Sequence, residues 1–146
     1  MERHFRLLIG CSMAIIAALL VVGAVSAGII RHIVQRSALW IVIALAARRS
    51  GWGKWAALPC YVFWFLLMAA IWLFLLGWAK IVSGTFSPIE ITMTVIVGLA
   101  SVVGFVTAIR TKTNTSVWKS PGTVLFVAAV QLAVFRLSLV SQIAHR

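Results

Sequence analysis

The chain has no aspartate and only two glutamates, Glu2 and Glu90, among its 146 residues. Acid–base, magnesium-dependent and nucleophilic chemistries usually draw on carboxylates, histidines or cysteines held together, so catalysis is the class this composition most nearly excludes. Transfer to or from lipid phosphates with magnesium would need carboxylates that are missing. Cys11 and Cys60 lie far apart in apolar runs, without Cys-x-x-Cys or histidine spacing, and read as small buried residues. His4, His32 and His145 all fall near segment ends, where none is placed to ligate haem or chlorophyll at mid-membrane. The expectation is therefore no cofactor and no metal. No internal repeat is visible, so the inverted halves of a secondary transporter are not legible. Arg49-Ser50-Gly51-Trp52-Gly53-Lys54 is a basic turn that matches no phosphate-binding loop.

What the chain has instead is apolar surface. Hydrophobic residues make up 63% and charged ones 10%, with a mean hydropathy of +1.10, whereas soluble domains carry about 25% charged residues. The fold class expected is all-α, a polytopic transmembrane helical bundle forming a single transmembrane domain over residues 1–146. The formal charge of +11 would raise the question of nucleic acid in a soluble protein. Here the basic residues sit in short clusters between apolar runs, the pattern of loops held beside anionic headgroups, and nucleic acid is not an expected partner.

Five spans are expected, over approximately residues 7–30, 31–47, 55–79, 89–109 and 121–144. The first, Leu7 to Ile30, follows a basic stretch, and Val25-Ser26-Ala27 offers small residues of the kind a signal peptidase cuts after, but at this length it reads as a retained span rather than a signal peptide. The second has only eleven clearly apolar residues, Ser37 to Ala47, too few to cross about 30 Å of hydrocarbon alone. Either it begins near Ile29 with Arg31 and Arg36 reaching the interface, or it is a short re-entrant or interfacial helix, leaving four spans. Charge favours five. With the N-terminus inside, the inner loops take Arg3, Arg6, Arg48, Arg49, Lys54, Arg110, Lys112 and Lys119, and the outer side Arg31, Arg36, Lys80 and Arg146. The localisation expected is the inner, cytoplasmic membrane of a bacterium, N-terminus inside.

The third span carries Trp52 and Trp55 at one end and Trp78 at the other, matching two aromatic belts. The fourth opens with Ser87-Pro88-Ile89-Glu90, a capping serine, a proline at the first helical position and a glutamate at the third. Ser120-Pro121 opens the fifth similarly.

Within that last span stands Arg136, which costs about 3 kcal/mol to insert at a helix centre. It either snorkels from its place near the helix end or meets Glu90, which enters the membrane from the same side; an anionic headgroup or a partner's carboxylate would serve equally. Thr123, Gln131, Ser138, Ser141 and Gln142 share one face about 100° wide, opposite Arg136. Such a stripe is expected to bond neighbouring helices ahead of lining a pathway. Small residues line up as Ala100, Ser101, Gly104, Thr107 and Ala108 in the fourth span and as Gly10, Ala14, Ala17, Ala18 and Gly28 in the first. These faces let helix backbones approach closely, within the chain or with another. Tyr61, Trp64, Phe65, Met68 and Trp72 form a bulky stripe on the third, expected to meet lipid or fill the core rather than touch a quinone or pigment.

The function expected is that of a non-catalytic integral membrane subunit, packing into or helping assemble a larger complex, with anionic membrane lipids and other membrane-protein subunits as partners. The alternative is a small oligomeric channel or carrier for an anionic or lipophilic solute.

Overall fold

The computed structural model describes residues 2–80, 84–113 and 120–140, and among these every regular element is a helix. In chain order they are α1 (Glu2–Val25), α2 (Ile29–Gln35), α3 (Ser37–Ala47), α4 (Trp52–Leu75), α5 (Pro88–Arg110) and α6 (Ser120–Ser138). Four of them, α1, α4, α5 and α6, are each long and apolar enough to cross a membrane. Large apolar side chains such as Leu66, Leu99 and Leu125 face outward, which in lipid costs nothing and in water would expose continuous patches.

The ambiguous second segment resolves into two helices bent by 45° at Arg36. Together they hold 7 and 11 residues plus Arg36, a path of about 28 Å along a helix. They start beside the far end of α1, where a Cβ on Gly23 would stand 3.1 Å from Ile29 Cα. They finish beside its beginning, where the Arg49 guanidinium meets Glu2 at 2.7 Å. The bent pair thus returns the chain over the length of α1, and does not dip back on one side.

Several span boundaries differ from those read in the sequence: α4 ends at Leu75 rather than near residue 79 and α6 at Ser138 rather than near residue 144, and two further differences have a visible cause. The first helix stops at Val25 rather than near Ile30, because Ala27 takes a left-handed φ of 54° and turns the chain before α2. Arg49, at φ 53°, makes the corresponding turn between α3 and α4, and α4 begins at Trp52. Neither pivot is a glycine, so the sequence marks a turn at residues 49–54 without marking Arg49 as its pivot, and does not mark the turn at Ala27. The start of α5 follows its local signals. Ser87 Oγ accepts from the Glu90 N–H at 3.3 Å, and Glu90 Oε2 accepts from the Ser87 N–H at 2.7 Å. That reciprocal box satisfies two helix-end donors that lipid would leave orphaned.

Packing differs between the two ends of the bundle. Near Glu2, α1 packs on α5, α5 on α4, α4 on α3, and α3 on α1, a closed four-helix ring. Its centre is full: Leu8, Ile15, Leu39, Val42, Cys60 and Tyr61 are completely buried. Tyr61 donates its hydroxyl to the Leu8 carbonyl at 2.9 Å, which leaves Ser12 Oγ, also at 2.9 Å, to donate to Tyr61. The ring of Tyr61 lies flat on Gly104, whose absent Cβ would stand 2.5 Å from it. Only glycine lets α4 and α5 approach this closely here.

Past the bend the ring changes members. There α2 packs on α6 and on α1, while α6 packs on α4, so that α6 is interposed where α3 had met α4 directly. Four helices become five around the same axis. A wider ring built from the same kinds of side chain leaves its middle unfilled.

Candidate functional site

The unfilled middle is a cavity of about 690 Å³ bounded by all five helices, within the range of about 300–1,000 Å³ usual for small-molecule sites. Its walls divide by chemistry. Leu19, Trp64, Met68, Ile71, Val97 and Phe135 make the apolar part, whereas Arg31, His32, Gln35 and Glu90 stand together on the polar part. The polar group is local to α2 and the start of α5: Arg31 and Gln35 are four residues apart on one helix face, and His32 is three from Gln35.

Several polar atoms here are buried without a hydrogen-bond partner, among them Arg31 Nε, His32 Nδ1 and Trp64 Nε1. Two of these, the guanidinium and the indole N–H, can only donate. A buried unpaired donor costs on the order of 1–3 kcal/mol, so the site as built is short of acceptors. The one carboxylate on the wall, Glu90, gives an oxygen to the Ser87 N–H. Arg31, Arg36 and Glu90 all lie within electrostatic reach of His32. The ion pairs formed among the described residues are Arg6–Glu2 and Arg49–Glu2, both at the opposite end.

The cavity side of α2 is fixed by α6. Gln35 Nε2 donates to Ser138 Oγ at 3.0 Å, and Gln131 Nε2 donates to the Gln35 carbonyl at 3.4 Å. Ser138 in turn donates to the Phe135 carbonyl at 2.6 Å. Gln131 and Ser138 are therefore buried against a neighbouring helix, with Gln131 Oε1 still unpartnered. Ser141 and Gln142, placed on the same stripe by the sequence, lie outside the described residues.

Arg136 is exposed, on the outward side of α6. It forms no ion pair with Glu90, and the reason is geometric: Glu90 faces the cavity while Arg136 projects from the opposite face to Ser138. Snorkelling from the last turn of α6 is the arrangement this placement serves. Arg136→Leu is accordingly expected to leave folding stability in detergent within about 0.5 kcal/mol of the parent, measured by thermal unfolding of the purified protein.

The other sequence-selected residues divide. Gly104 and Ala108 are buried, Ala100 and Ala14 are half-buried, and Gly10 faces outward with nothing within 4 Å of where its Cβ would be. The aromatic stripe of α4 does not act as one surface: Tyr61, Trp64 and Met68 turn inward, whereas Phe65 is 46% exposed. Trp64 and Met68 reach the cavity, and Tyr61 the four-helix core.

In the sequence Arg31 and Arg36 read as reaching the interface, His32 as lying near a segment end, and Gln35 has no assigned role, so the site they form is not apparent there. The available signal was the one-face spacing of residues 31, 32 and 35, on the same side of the membrane as Glu90 in a five-span topology. No protein-family model, curated protein or solved structure matches this chain.

Proposed function

We propose that this protein is a non-catalytic membrane subunit that holds an amphiphilic lipid between its helices, near one membrane face, for a larger membrane assembly. The observation that supports this reading is the split cavity: apolar walls suited to hydrocarbon, ending at buried donors that lack acceptors. A phosphate-bearing headgroup supplies several strong acceptor oxygens and matches the Arg31 guanidinium. The four-helix ring closes the bundle toward Glu2, so the cavity does not continue to the other end. That one-sidedness suits holding a lipid better than conducting a solute.

The outward small-residue face at Gly10, and the exposed apolar flank of α5, give a second subunit room to pack. The orientation that goes with the reading puts Glu2 and the basic clusters at residues 48–54 and 110–112 inside, and the cavity near the outer leaflet of a bacterial inner membrane. A carrier is the second reading, favoured by the bend at Arg36 beside the cavity.

The test is native mass spectrometry of the full chain purified in mild detergent from its own membranes, together with liposome flux of a headgroup-labelled phospholipid. Retention of one phospholipid per chain, in a defined hetero-complex and without flux, supports the subunit. Flux that depends on Arg31 supports the carrier. Failure to retain any phospholipid rejects both.

A further inference from the structure

Arg31 and Glu90 face one cavity from two different helices, yet they do not pair with each other. In low dielectric, opposite charges sharing a small space attract strongly, and each left uncompensated is costly. Glu90 is half-buried, uses an oxygen on the Ser87 N–H, and has no lysine or arginine within ion-pair distance among the described residues. Helix capping explains one of its hydrogen bonds and leaves the negative charge without a partner. From this arrangement we infer that the cavity takes a zwitterionic phospholipid, with the phosphate at Arg31 and a headgroup ammonium at Glu90.

The inference rests on the proposed lipid-holding function and adds to it a residue that reads the head. A purely anionic lipid would satisfy Arg31 while facing Glu90 across the cavity as a like charge. A headgroup bearing both a phosphate and a primary amine answers both walls at once. The acyl chains then lie against Leu19, Met68, Val97 and Phe135. Glu90 acts as a specificity-determining group in this scheme, since the apolar contacts and the phosphate contact are common to every phospholipid.

The experiment measures retention of two lipids with identical acyl chains, phosphatidylethanolamine and phosphatidylglycerol, by native mass spectrometry of the full chain and of Glu90→Gln. Glutamine at the third helical position still closes the capping box, so α5 keeps its start; circular dichroism checks this. The parent is expected to prefer phosphatidylethanolamine by about tenfold, the size of one charge-assisted hydrogen bond. Glu90→Gln should lose that preference through weaker phosphatidylethanolamine binding, with phosphatidylglycerol unchanged or tighter. Equal retention of the two lipids by the parent, or an unchanged preference in Glu90→Gln, overturns the zwitterion inference and leaves the lipid-holding function standing. Retention of neither lipid removes that function, and this inference with it.

Discussion

Gly104→Ala should destabilise the bundle by about 3 kcal/mol, although it adds one methyl group to a helix and alanine is the better helix former. The new Cβ would stand 2.5, 2.6 and 2.7 Å from three carbons of the Tyr61 ring. A flexible side chain would yield, but this ring is held at its far end by the Leu8 carbonyl and Ser12. Moving it breaks two buried hydrogen bonds and disturbs α1, α4 and α5 together, at about 1 kcal/mol per bond beyond the packing strain. Tyr61→Phe removes both bonds without the clash and should cost about 2 kcal/mol. In Gly104→Ala/Tyr61→Leu the shorter side chain makes room, so the double variant should be less destabilised than the sum of its two single changes. Steric trapping or thermal unfolding in detergent measures all four. An additive cycle would show that the two residues do not meet.

Arg31→Gln should weaken phospholipid retention by about 30-fold, equivalent to about 2 kcal/mol for a charge-assisted contact to phosphate in a buried site. Stability should be unaffected or improved, because the substitution removes a buried donor that the protein itself does not satisfy. Opposite signs for binding and stability distinguish a ligand-holding arginine from a structural one. Arg31→Lys should recover only part of the affinity, since an ammonium lacks the planar fork. Loss of folding and binding together would place Arg31 in the framework of the bundle instead.

What could be read from the sequence is what depends on neighbours along the chain. Ser87, Pro88 and Glu90 start α5 through contacts spanning three residues, and the structure has the box they announce. The long apolar runs set the four long helices for the same reason: hydrocarbon requires each segment to satisfy its own backbone. Ala27 and Arg49 were illegible as turn pivots because their left-handed backbones are held without glycine, in the second case beside the Arg49–Glu2 ion pair. The division of the α4 stripe was likewise hidden. Residues 61, 64, 65, 68 and 72 fall within a sector about 100° wide, and only the positions of the helices packed on α4 decide which part of that sector is core.

The cavity is the least legible feature, since it exists only because the chain changes partners at Arg36. No single residue near 36 encodes a hole. It arises where α2 leaves the line of α3 and α6 is inserted against α4. Gln35 carries both sides of that choice, its side chain bonding Ser138 and its carbonyl accepting from Gln131. In the sequence it stands as one polar residue in a basic flank.

Thiol reactivity tests the split bundle most directly. With Cys11 and Cys60 replaced by alanine, a single cysteine is placed at Met93, on the cavity wall, or at Val42, in the four-helix core. A small methanethiosulfonate reagent applied to the folded protein in detergent should label position 93 readily and position 42 at least about 100-fold more slowly, as expected of a close-packed interior. Equal protection at the two positions would contradict the account, because it would mean that the ring does not widen beyond Arg36.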